Sequence, residues 1–380
     1  MPAPTLVESS QRSQHGTWIE IRLDRLNQNL NRLKERSGSR CEALAVVKAN
    51  AYGHGLLEIA KSLAGKVAYL GISSVHEALE LKGHRIETPL FLFGRIFGSE
   101  LPAVLTEGIT LSISSLEESE EISALSQSLG RKTLAHIKID TGMGRLGIPF
   151  RDAIRNIEKI TALPGIIPEG IYTHFPTAER EDGFRDKQFQ DFALLLQSLE
   201  SKGITFRFRH ASNSAGTLKI KSPVLNLIRP GLMLYGIYPD PTLAEIATVA
   251  PILSLKSRIV LVKRLKPGES VGYGRDFITD KPVNIATLPI GYSHGYPFNA
   301  SNRAWILYRG KRYPIAGRVS MDYIAVNLGD TPAKAGDEVT LIGEDSGEKI
   351  SAEELARWSG TIPYEIVTRL ISRIPRFYRP

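Results

Sequence analysis

The sequence predicts an α/β fold, a (β/α)8 TIM-type barrel followed by a mostly β C-terminal domain. Two observations support this. Strand-like apolar runs alternate with helix-like segments, such as Leu116 to Leu129, along most of the N-terminal part of the chain. The runs begin near Ala43, Tyr69, Pro89, Leu111, Leu134, Pro168, Phe206 and Val224. After Pro251 the alternation stops, and short strands separated by tight turns indicate a second domain.

This change of pattern gives the domain boundaries. We expect an N-terminal extension at residues 1–16, the barrel at 17–245 and the β domain at 246–380. The strands predicted in the β domain are Ser257 to Lys263, Val283 to Pro289, Ala304 to Tyr308, Tyr313 to Ala316, Ile324 to Leu328 and Val339 to Ile342. A strand at Thr17 to Arg22 precedes the first barrel strand, so it can pair within the β domain instead.

Two short patterns predict local structure in the β domain. Tyr308-Arg309-Gly310-Lys311 is typical of a hairpin turn. Ser351 and Glu354 have the spacing of a capping box, in which each side chain bonds the other residue's backbone N–H. We therefore expect a helix from Ser351 to Trp358.

Composition and charge narrow the class of protein. The chain is 42% hydrophobic and 23% charged, as in globular proteins, and its formal net charge is +8. Lysine and arginine are spread along the chain without a nucleic-acid motif, so we expect no nucleic-acid partner. Cys41 is the single cysteine and no Cys/His cluster has zinc spacing, which excludes an intrachain disulfide and predicts no metal site. With no signal-peptide core and no membrane-spanning run, we expect a cytoplasmic protein.

Lys48 stands at the end of an apolar strand, Ala43 to Val47, and is followed by a glycine-rich turn. The run has no polar alternation, which is typical of a strand buried on both faces of a parallel sheet. Apolar surroundings lower the pKa of an ammonium, and the neutral amine can then form a Schiff base with a carbonyl cofactor. The alternative is a structural lysine whose amine reaches solvent.

The position of other polar residues favours the chemical interpretation of Lys48. In (β/α)8 barrels the active site lies at the carboxyl ends of the strands. The residues predicted there are Lys48, Lys138, Asp140, His174, His210 and Arg229. Surface charge placed at random would also occupy strand starts and helix faces, so this bias predicts a site at that end of the barrel.

Three loops add candidate groups. Asp140 to Gly147 carries three glycines and Arg145, whose guanidinium could bind an oxyanion; a plain surface loop is the alternative. The loops containing Ser214 and Gly231 follow strands seven and eight, where barrels commonly bind phosphate. Ser214 could equally be a helix N-cap without a ligand.

The segment Lys48-Ala49-Asn50-Ala51-Tyr52-Gly53-His54-Gly55 resembles the cofactor-lysine signature of the alanine racemases throughout. The resemblance extends, in the family's order, from about Trp18 to Arg376. The further matching runs are His136 to Gly147, Tyr172 to Phe175, His210 to Gly216, Arg229 to Leu232, Val271 to Arg275, Pro289 to Pro297, Gly317 to Asp322, Ile362 to Glu365 and Arg373 to Arg376.

This resemblance implies a pyridoxal-phosphate-dependent racemase that interconverts L- and D-alanine and supplies D-alanine for peptidoglycan. Lys48 would hold the cofactor and serve as one base, while Tyr273, supplied by the partner subunit of a homodimer, would be the other. The implied cofactor contacts are Tyr52, His174, Ser214, Arg229, Gly231, Leu232 and Tyr364. The implied substrate contacts are Arg145 and Met321. Residues in supporting positions are Lys138, which many members carry as a carbamate, Asp322 and Tyr292.

Two of these assignments have consequences for the reaction mechanism. Inversion at Cα needs one proton-transferring group on each face, and Lys48 can serve only one of them. An arginine at the pyridine nitrogen, implied for Arg229, leaves that nitrogen unprotonated because the guanidinium keeps its own proton. A weaker electron sink favours reprotonation over side reactions such as transamination.

The sequence departs from the family pattern at a few positions. Ser320 stands where many members have cysteine, Phe298 where many have an arginine, and Pro176 and Glu179 also differ. Because of the difference at Phe298, a broad-specificity amino-acid racemase of the same fold remains an alternative function. Two more distant alternatives are a barrel decarboxylase of basic amino acids and a non-catalytic cofactor- or nucleic-acid-binding protein.

Overall fold

The computed structural model describes residues 14–38 and 41–380. Most of the predicted N-terminal extension, residues 1–13, lies outside this described part. The strands, in chain order, are β1 (Thr17–Arg22), β2 (Glu42–Val46), β3 (Tyr69–Ile72), β4 (Leu90–Leu92), β5 (Thr110–Ile113), β6 (Thr133–Asp140), β7 (Ile148–Pro149), β8 (Ile166–Tyr172), β9 (Phe208–His210), β10 (Leu227–Ile228), β11 (Leu253–Arg258), β12 (Leu261–Leu265), β13 (Ser270–Val271), β14 (Phe277–Ile278), β15 (Val283–Leu288), β16 (Trp305–Tyr308), β17 (Lys311–Pro314), β18 (Ile324–Gly329), β19 (Glu338–Asp345), β20 (Glu348–Ile350) and β21 (Arg376–Arg379).

The N-terminal part forms the barrel. Its parallel strands pair in the order β10-β2-β3-β4-β5-β6-β8-β9. Backbone hydrogen bonds from Asn226 N to Arg209 O (3.1 Å) and from Arg229 N to Ser212 O (2.9 Å) bring β9 and β10 together and nearly close the ring. This nearly closed ring of eight parallel strands confirms the predicted (β/α)8 architecture.

Helices cover the outside of the barrel. The helices are Leu23–Ser37, Leu56–Leu63, Val75–Gly83, Glu100–Thr106, Leu116–Ser128, Ala153–Thr161, Phe184–Glu200, Ser214–Lys219 and, in the β domain, Ala352–Ser359 and Pro363–Thr368. The 3-10 turns are Phe150–Asp152, Leu232–Tyr235, Pro241–Glu245, Tyr273–Arg275, Tyr292–His294 and Phe298–Ala300. Serine caps fix two helix starts close to the strand ends: Ser74 accepts from Glu77 N and Ser115 from Glu118 N.

The C-terminal part is built from sheets. The largest has the order β17-β16-β19-β11-β1-β21, with β20 on β19, and a smaller one has the order β12-β15-β18. β1 pairs antiparallel with β11 and parallel with β21. The strand thus lies in this sheet, outside the barrel. The boundary between residues 245 and 246 stays a prediction.

The prediction of one continuous strand from Ser257 to Lys263 is wrong. The segment is divided between β11 and β12, because the chain changes sheets at Ile259 and Val260. Ile259 N donates to Asp337 O, and Val260 N donates to Thr287 O, both at 2.9 Å. The apolar pattern continues across this change of sheet, so periodicity alone does not reveal it.

Both short patterns in the β domain are confirmed. Tyr308 pairs with Lys311, and Arg309 and Gly310 have φ values of +51° and +71°, as a two-residue type I′ hairpin requires. Ser351 N donates to Glu354 Oε2 at 3.0 Å and Glu354 N donates to Ser351 Oγ at 3.2 Å. The expected capping box therefore starts the helix Ala352–Ser359.

The described ranges contain neither a membrane-spanning helix nor a cluster of metal-binding side chains. No helix in residues 14–38 or 41–380 combines the length and apolar character needed to cross a membrane. Across the same residues, no group of three or more His, Cys, Asp or Glu side chains is arranged to hold a metal ion.

Candidate active site

Lys48 lies just past the carboxyl end of β2, at the mouth of the barrel. Val47, which precedes it, is held in the barrel by a hydrogen bond from its N–H to Gly71 O at 2.8 Å. Burial, followed by the nearby charge of Arg145, lowers the pKa of the Lys48 ammonium, and Glu77 opposes the shift. These surroundings act in the direction that the sequence predicts, because they disfavour the charged form of the amine.

The residues after Lys48 form one turn of left-handed helix. Ala49, Asn50, Ala51 and Tyr52 all have φ between +51° and +55°. For non-glycine residues this conformation costs about 1–2 kcal/mol each, so the surroundings must hold it. Asn50 N donates to the buried Glu77 carboxylate at 3.2 Å, and Asn50 Oδ1 accepts from Leu56 N at 2.8 Å.

Gly53 ends this turn against another part of the chain. A Cβ at this position would lie 2.0 Å from Val367 O, and its φ is +79°. Only glycine fits both constraints. The motif glycine thus lets the turn pack against the helix that carries Tyr364.

Arg229 follows β10 and is buried within the barrel mouth. Its guanidinium donates to Thr173 O and Ala211 O, each at 2.9 Å. It also reaches His210 Nδ1 at 2.9 Å and His174 Nδ1 at 3.2 Å. All four partners are neutral acceptors, and burial lowers the pKa of Arg229 to about 10, so it is still a cation at neutral pH.

Lys138, on β6, is a second buried cation. Burial, then Arg145 and Arg229, lower its pKa to about 8. Its ammonium and the Arg229 guanidinium lie 5.8 and 5.1 Å from the centre of the Tyr172 ring. Such cation–π contacts offset part of the cost of burying charge.

The cations of the site have no carboxylate partner of their own. Within the described residues no ion pair joins Lys48, Lys138, Arg145 or Arg229 to an acidic side chain. Asp140 is nearby, but it accepts instead from the backbone N–H groups of Gly142 (2.9 Å), Met143 (2.8 Å) and Gly144 (3.1 Å). The site therefore attracts anions, and the Asp140 contacts shape the loop that carries Arg145.

A second candidate for binding an anion lies between the loops after β9 and β10. Ser214 Oγ accepts from Gly231 N at 2.9 Å and from Met233 N at 3.3 Å. A Cβ on Gly231 would lie 2.8 Å from the Tyr52 hydroxyl, so this glycine leaves room for that tyrosine. The Tyr52 and Tyr364 rings are 6.1 Å apart. Hydroxyl and backbone N–H groups thus lie close together here, and groups of this type can bind a phosphate.

Ser214 is not the N-cap of the helix that follows it. Asn213 is the N-cap of the helix Ser214–Lys219, because its Oδ1 accepts from Gly216 N at 2.9 Å. The alternative in which Ser214 is only an N-cap is therefore wrong. Its hydroxyl points across to the loop after β10.

The predicted residues of the β domain lie together on a different surface. Tyr273 is 72% exposed, and Met321 and Tyr292 are 54% and 46% exposed. Tyr292 N donates to Ser320 O at 3.1 Å, and Ser293 Oγ donates to Asp322 Oδ1 at 2.7 Å. These bonds hold the two loops side by side.

Tyr273 projects from a glycine-bracketed loop. Gly272 and Gly274 have φ values of +71° and +73°. An ion pair between Arg318 and Asp276 supports the loop from beneath, and a Cβ on Gly274 would collide with it. Among the described residues the Tyr273 side chain has no hydrogen-bond or ring partner. One chain thus brings Lys48, Arg145 and Arg229 together but leaves Tyr273 outside their contacts.

Sequence reasoning missed several residues that build the site. Glu77 holds the turn after Lys48, and the Ser74-x-x-Glu77 capping pattern could have drawn attention to it. Glu169 lies at the far end of a buried polar chain leading from Arg229. Arg376 lies in a motif that matches the family, but its hydrogen bonds to Gly53 O, at 3.0 and 2.8 Å, have no sequence signal.

Comparison with known proteins shows the family of the chain. A family model of the alanine racemase N-terminal domain matches residues 21–239, and one of the C-terminal domain matches residues 252–378. The chain is 38% identical over 366 residues to alanine racemase 2 of Caldanaerobacter subterraneus subsp. tengcongensis, with 95% of this chain and 94% of that protein covered.

Solved structures of similar sequence share the fold over nearly the whole chain. The alanine racemase from D-cycloserine-producing Streptomyces lavendulae matches with a TM-score of 0.90 at 33% identity, covering 96% of this chain and 97% of that one. The alanine racemase from Bacillus anthracis with bound L-Ala-P gives a TM-score of 0.90 at 33% identity, covering 96% and 95%. The family resemblance of the motifs is confirmed, and the chain belongs to the alanine racemases, a family of pyridoxal-phosphate-dependent isomerases.

Proposed function

We propose that the protein interconverts L- and D-alanine by moving the Cα proton between Lys48 of one subunit and Tyr273 of its partner. The observation that carries this proposal is the environment of Lys48. Its amine has a lowered pKa at the mouth of the barrel, beside two arginines that have no carboxylate partner among the described residues. That arrangement suits a base next to an anionic cofactor and an anionic substrate.

The residues present fit pyridoxal phosphate. Hydroxyl and amide donors would hold its phosphate at Tyr52, Ser214, Gly231, Leu232 and Tyr364. Arg229 would donate to the ring nitrogen, with His174 beside it, and Arg145 would meet the phenolic oxygen. When bound, the cofactor withdraws electrons from the substrate and so acidifies its Cα–H bond. Lys48 anchors the cofactor before the substrate enters.

Two groups on opposite faces then move the proton. The Lys48 Nζ takes it from D-alanine, and the Tyr273 hydroxyl takes it from L-alanine; in each direction the other group returns a proton. Arg145 and the Met321 backbone N–H hold the substrate carboxylate. Asp322 and Tyr292 keep the partner's loops in place.

A homodimer with shared sites is supported by the exposed surface of the β domain. Large side chains, that of Tyr273 among them, lie exposed on neighbouring loops. They are Tyr273, Tyr292, Phe298, Met321 and Tyr323, each between 46% and 72% exposed. Contiguous exposed apolar surface of this kind indicates a protein interface. A second copy placed there would bring Tyr273 to the barrel mouth of its partner.

Arg229 argues for a racemase over the decarboxylase alternative. It is buried, it remains a cation, and it can only donate to the ring nitrogen. Arg229 would therefore keep the ring nitrogen of a bound cofactor unprotonated, and the weaker electron withdrawal that the cofactor would then supply favours prompt return of the proton to Cα.

Lys138 is proposed to carry a carbamate. Three cations surround it, namely Lys48, Arg145 and Arg229, and its lowered pKa of about 8 makes the neutral amine available to carbon dioxide. A carbamate would replace a buried positive charge with a negative one and so hold Arg145 in place.

Phe298 keeps the broad-specificity racemase as the second candidate. The side chain is 49% exposed and its ring centre lies 6.3 Å from that of Tyr292. A neutral ring in place of arginine changes the charge at a position close to the proposed entrance. We nevertheless favour alanine, in line with the relatives' names and with the L-Ala-P bound to the Bacillus anthracis structure. D-alanine made in the cytoplasm would supply peptidoglycan synthesis.

The test is proton NMR of L-alanine in heavy water with the pyridoxal-phosphate-loaded protein, followed by chiral analysis. We expect the Cα proton signal to disappear while D-alanine forms, and Lys48→Ala to show neither change. Exchange with serine or lysine but not with alanine would instead favour the broad-specificity enzyme. Release of carbon dioxide would favour the decarboxylase.

A further inference from the structure

A chain of buried polar groups runs through the barrel interior from Arg229 toward the opposite end of its strands. Arg229 Nη1 lies 2.9 Å from His210 Nδ1, and His210 Nε2 lies 2.8 Å from His136 Nδ1. His136 Nε2 is then 3.8 Å from Glu169 Oε2. The proposed mechanism uses only Arg229, so the other three groups need a separate explanation.

The proton positions along this chain follow from Arg229. A guanidinium can only donate, so His210 Nδ1 must accept, and neutral His210 carries its proton on Nε2. That proton is donated to His136 Nδ1, which leaves the His136 proton on Nε2, facing Glu169. Burial lowers the pKa of both histidines, consistent with neutral rings. This orientation leaves only His136 Nε2 without a hydrogen-bond partner, and that nitrogen faces the Glu169 carboxylate at 3.8 Å.

The backbone around Glu169 is shaped to place its carboxylate there. In the pairing of β6 with β8, Ala135 faces Pro168 and His136 faces Gly170, so Glu169 is an extra, bulged residue. Bulges redirect side chains and are rare in parallel pairs. A Cβ on Gly170 would lie 2.6 Å from the His136 ring. The bulge and the glycine together make room for the contact between His136 and Glu169.

Glu169 is held as an anion. Burial would raise its pKa, but contacts with His136, the Tyr69 hydroxyl and Arg207 outweigh that effect and lower the pKa to about 2. Arg207 Nη1 lies 2.8 Å from Glu169 Oε1, and Tyr69 donates to Oε2. The chain therefore ends on a fixed negative charge.

Aromatic rings enclose the two histidines. Tyr172 stacks on His210 with ring centres 4.7 Å apart, and the rings of Tyr69, Phe91 and Phe208 lie 5.5, 4.9 and 5.7 Å from that of His136. In such apolar surroundings hydrogen bonds polarise one another and electrostatic effects reach further than in water.

We propose that Glu169 is a positioning residue for Arg229: the negative charge of its carboxylate favours the Nε2–H tautomers of His136 and His210, the same pattern that Arg229 requires, so that His210 presents a bare nitrogen to the guanidinium. Arg229 is then held in one orientation at the barrel mouth. The proposal rests on the proposed function only in taking the cofactor ring nitrogen as the ligand of Arg229.

Replacing Glu169 by glutamine should change these tautomers. A glutamine amide can donate to His136 Nε2, which moves the His136 proton to Nδ1 and makes it face the proton on His210 Nε2. One histidine must then change tautomer, and Arg229 loses an acceptor. We expect at least one of the two rings to leave the Nε2–H form, and pyridoxal phosphate to bind about tenfold more weakly.

The experiment is ¹⁵N NMR of histidine-labelled apoprotein, because ring nitrogen shifts report the tautomer directly. The chain has eight histidines, few enough to assign. Wild type should show both His136 and His210 as neutral Nε2–H rings, Glu169→Gln should change at least one, and Glu169→Asp, which keeps the carboxylate, should restore the wild-type pattern. Tyr69→Phe is the matched control because it removes a Glu169 contact but keeps the charge.

An Nδ1–H form of either ring in wild type would overturn the proposal even if every variant failed to fold. So would a folded Glu169→Gln protein with unchanged tautomers and unchanged cofactor affinity. The tautomers are read without cofactor or substrate, so the result stands whether or not the loaded protein racemises alanine.

Discussion

The Arg376 guanidinium, near the C terminus, binds the carbonyl oxygen of Gly53 through both Nε (3.0 Å) and Nη2 (2.8 Å). Its other hydrogen bonds go to carbonyl oxygens of Leu370, Ile371, Ser372 and Ile374. Arg376 thus ties the last strand of the β domain to the left-handed turn that follows Lys48.

We predict that Arg376→Met destabilises the protein by about 3 kcal/mol, because it strips a charged donor from several carbonyl groups at once. Urea unfolding of the apoprotein measures this loss. Arg357→Met, at an exposed position, is the control and should change the unfolding free energy by no more than about 0.5 kcal/mol. Equal effects of the two substitutions would contradict the assigned role.

Ala49 allows a test of the backbone strain after Lys48. It is exposed and has a φ of +53°, so a larger side chain meets backbone strain without overpacking. Ala49→Val should destabilise the protein by about 2 kcal/mol, since a β-branched residue fits this conformation poorly. Ala49→Gly should stay within about 1 kcal/mol of wild type, because relief of strain offsets the entropy that glycine loses. Similar losses for valine and glycine would mean that the turn is not held in this conformation in solution.

Much of the site could be predicted from local sequence, and the rest could not for physical reasons. Lys48, His174 and Arg229 were found because strand ends and short motifs are local patterns. The contacts of Arg376 with Gly53 and of Glu169 with His136 depend on how distant segments pack, which no local pattern encodes. The left-handed turn at Ala49 runs against intrinsic preference, so tertiary contacts must impose it.

The same limit applies to the fold. Alternating strands and helices predicted the barrel, because each strand–helix unit has its own period. The chain changes sheets at Ile259, where the backbone bonds Asp337, and the helix cap at Asn213 depends on a hydrogen bond with Gly216. From the sequence alone, a neighbouring residue was an equally plausible place for either feature.

Stability should fall as the pH drops below about 6.5, and buried histidines are the reason. Burial lowers the pKa of His54 to about 3 and also lowers those of His136, His174 and His210. The unfolded chain then binds protons that the folded chain cannot. Below about pH 6.5, each ring therefore lowers the free energy of unfolding by up to about 1.4 kcal/mol per pH unit.

Urea unfolding of the apoprotein between about pH 7.5 and pH 5.5 measures this dependence. His54→Gln should flatten it, because one ring no longer titrates on unfolding, whereas His84→Gln, at an exposed position, should leave the slope unchanged. Constant stability over this range, or stability that rises as the pH falls, would contradict the prediction.

Lys138 should show a carbamate signal in ¹³C NMR after incubation with labelled bicarbonate. Its amine has a pKa lowered to about 8 by burial and by neighbouring cations, so enough neutral amine exists near that pH to react. The signal should vanish in Lys138→Met and persist in Lys132→Met, which alters an exposed lysine near the start of the same strand. A wild-type spectrum without the signal would remove the carbamate from the proposal.

A shared active site can be tested by mixing two inactive variants. Lys48→Ala and Tyr273→Phe each remove one of the proposed bases, so each homodimer should be severely impaired. If Tyr273 acts in the partner's site, a hybrid dimer holds one site with both bases and one with neither. Random reassociation then restores about one quarter of wild-type sites, since half of the dimers are hybrids.

The recovered activity distinguishes this arrangement from a site within one chain. If both bases came from the same chain, every site in the hybrid would still lack one of them, and mixing would restore nothing. Mixing Lys48→Ala with Lys48→Met is the control, because neither arrangement can then produce an intact site. Recovery in the first mixture alone would connect the exposed position of Tyr273 to its function: the loop between Gly272 and Gly274 presents the hydroxyl to a second copy of the chain.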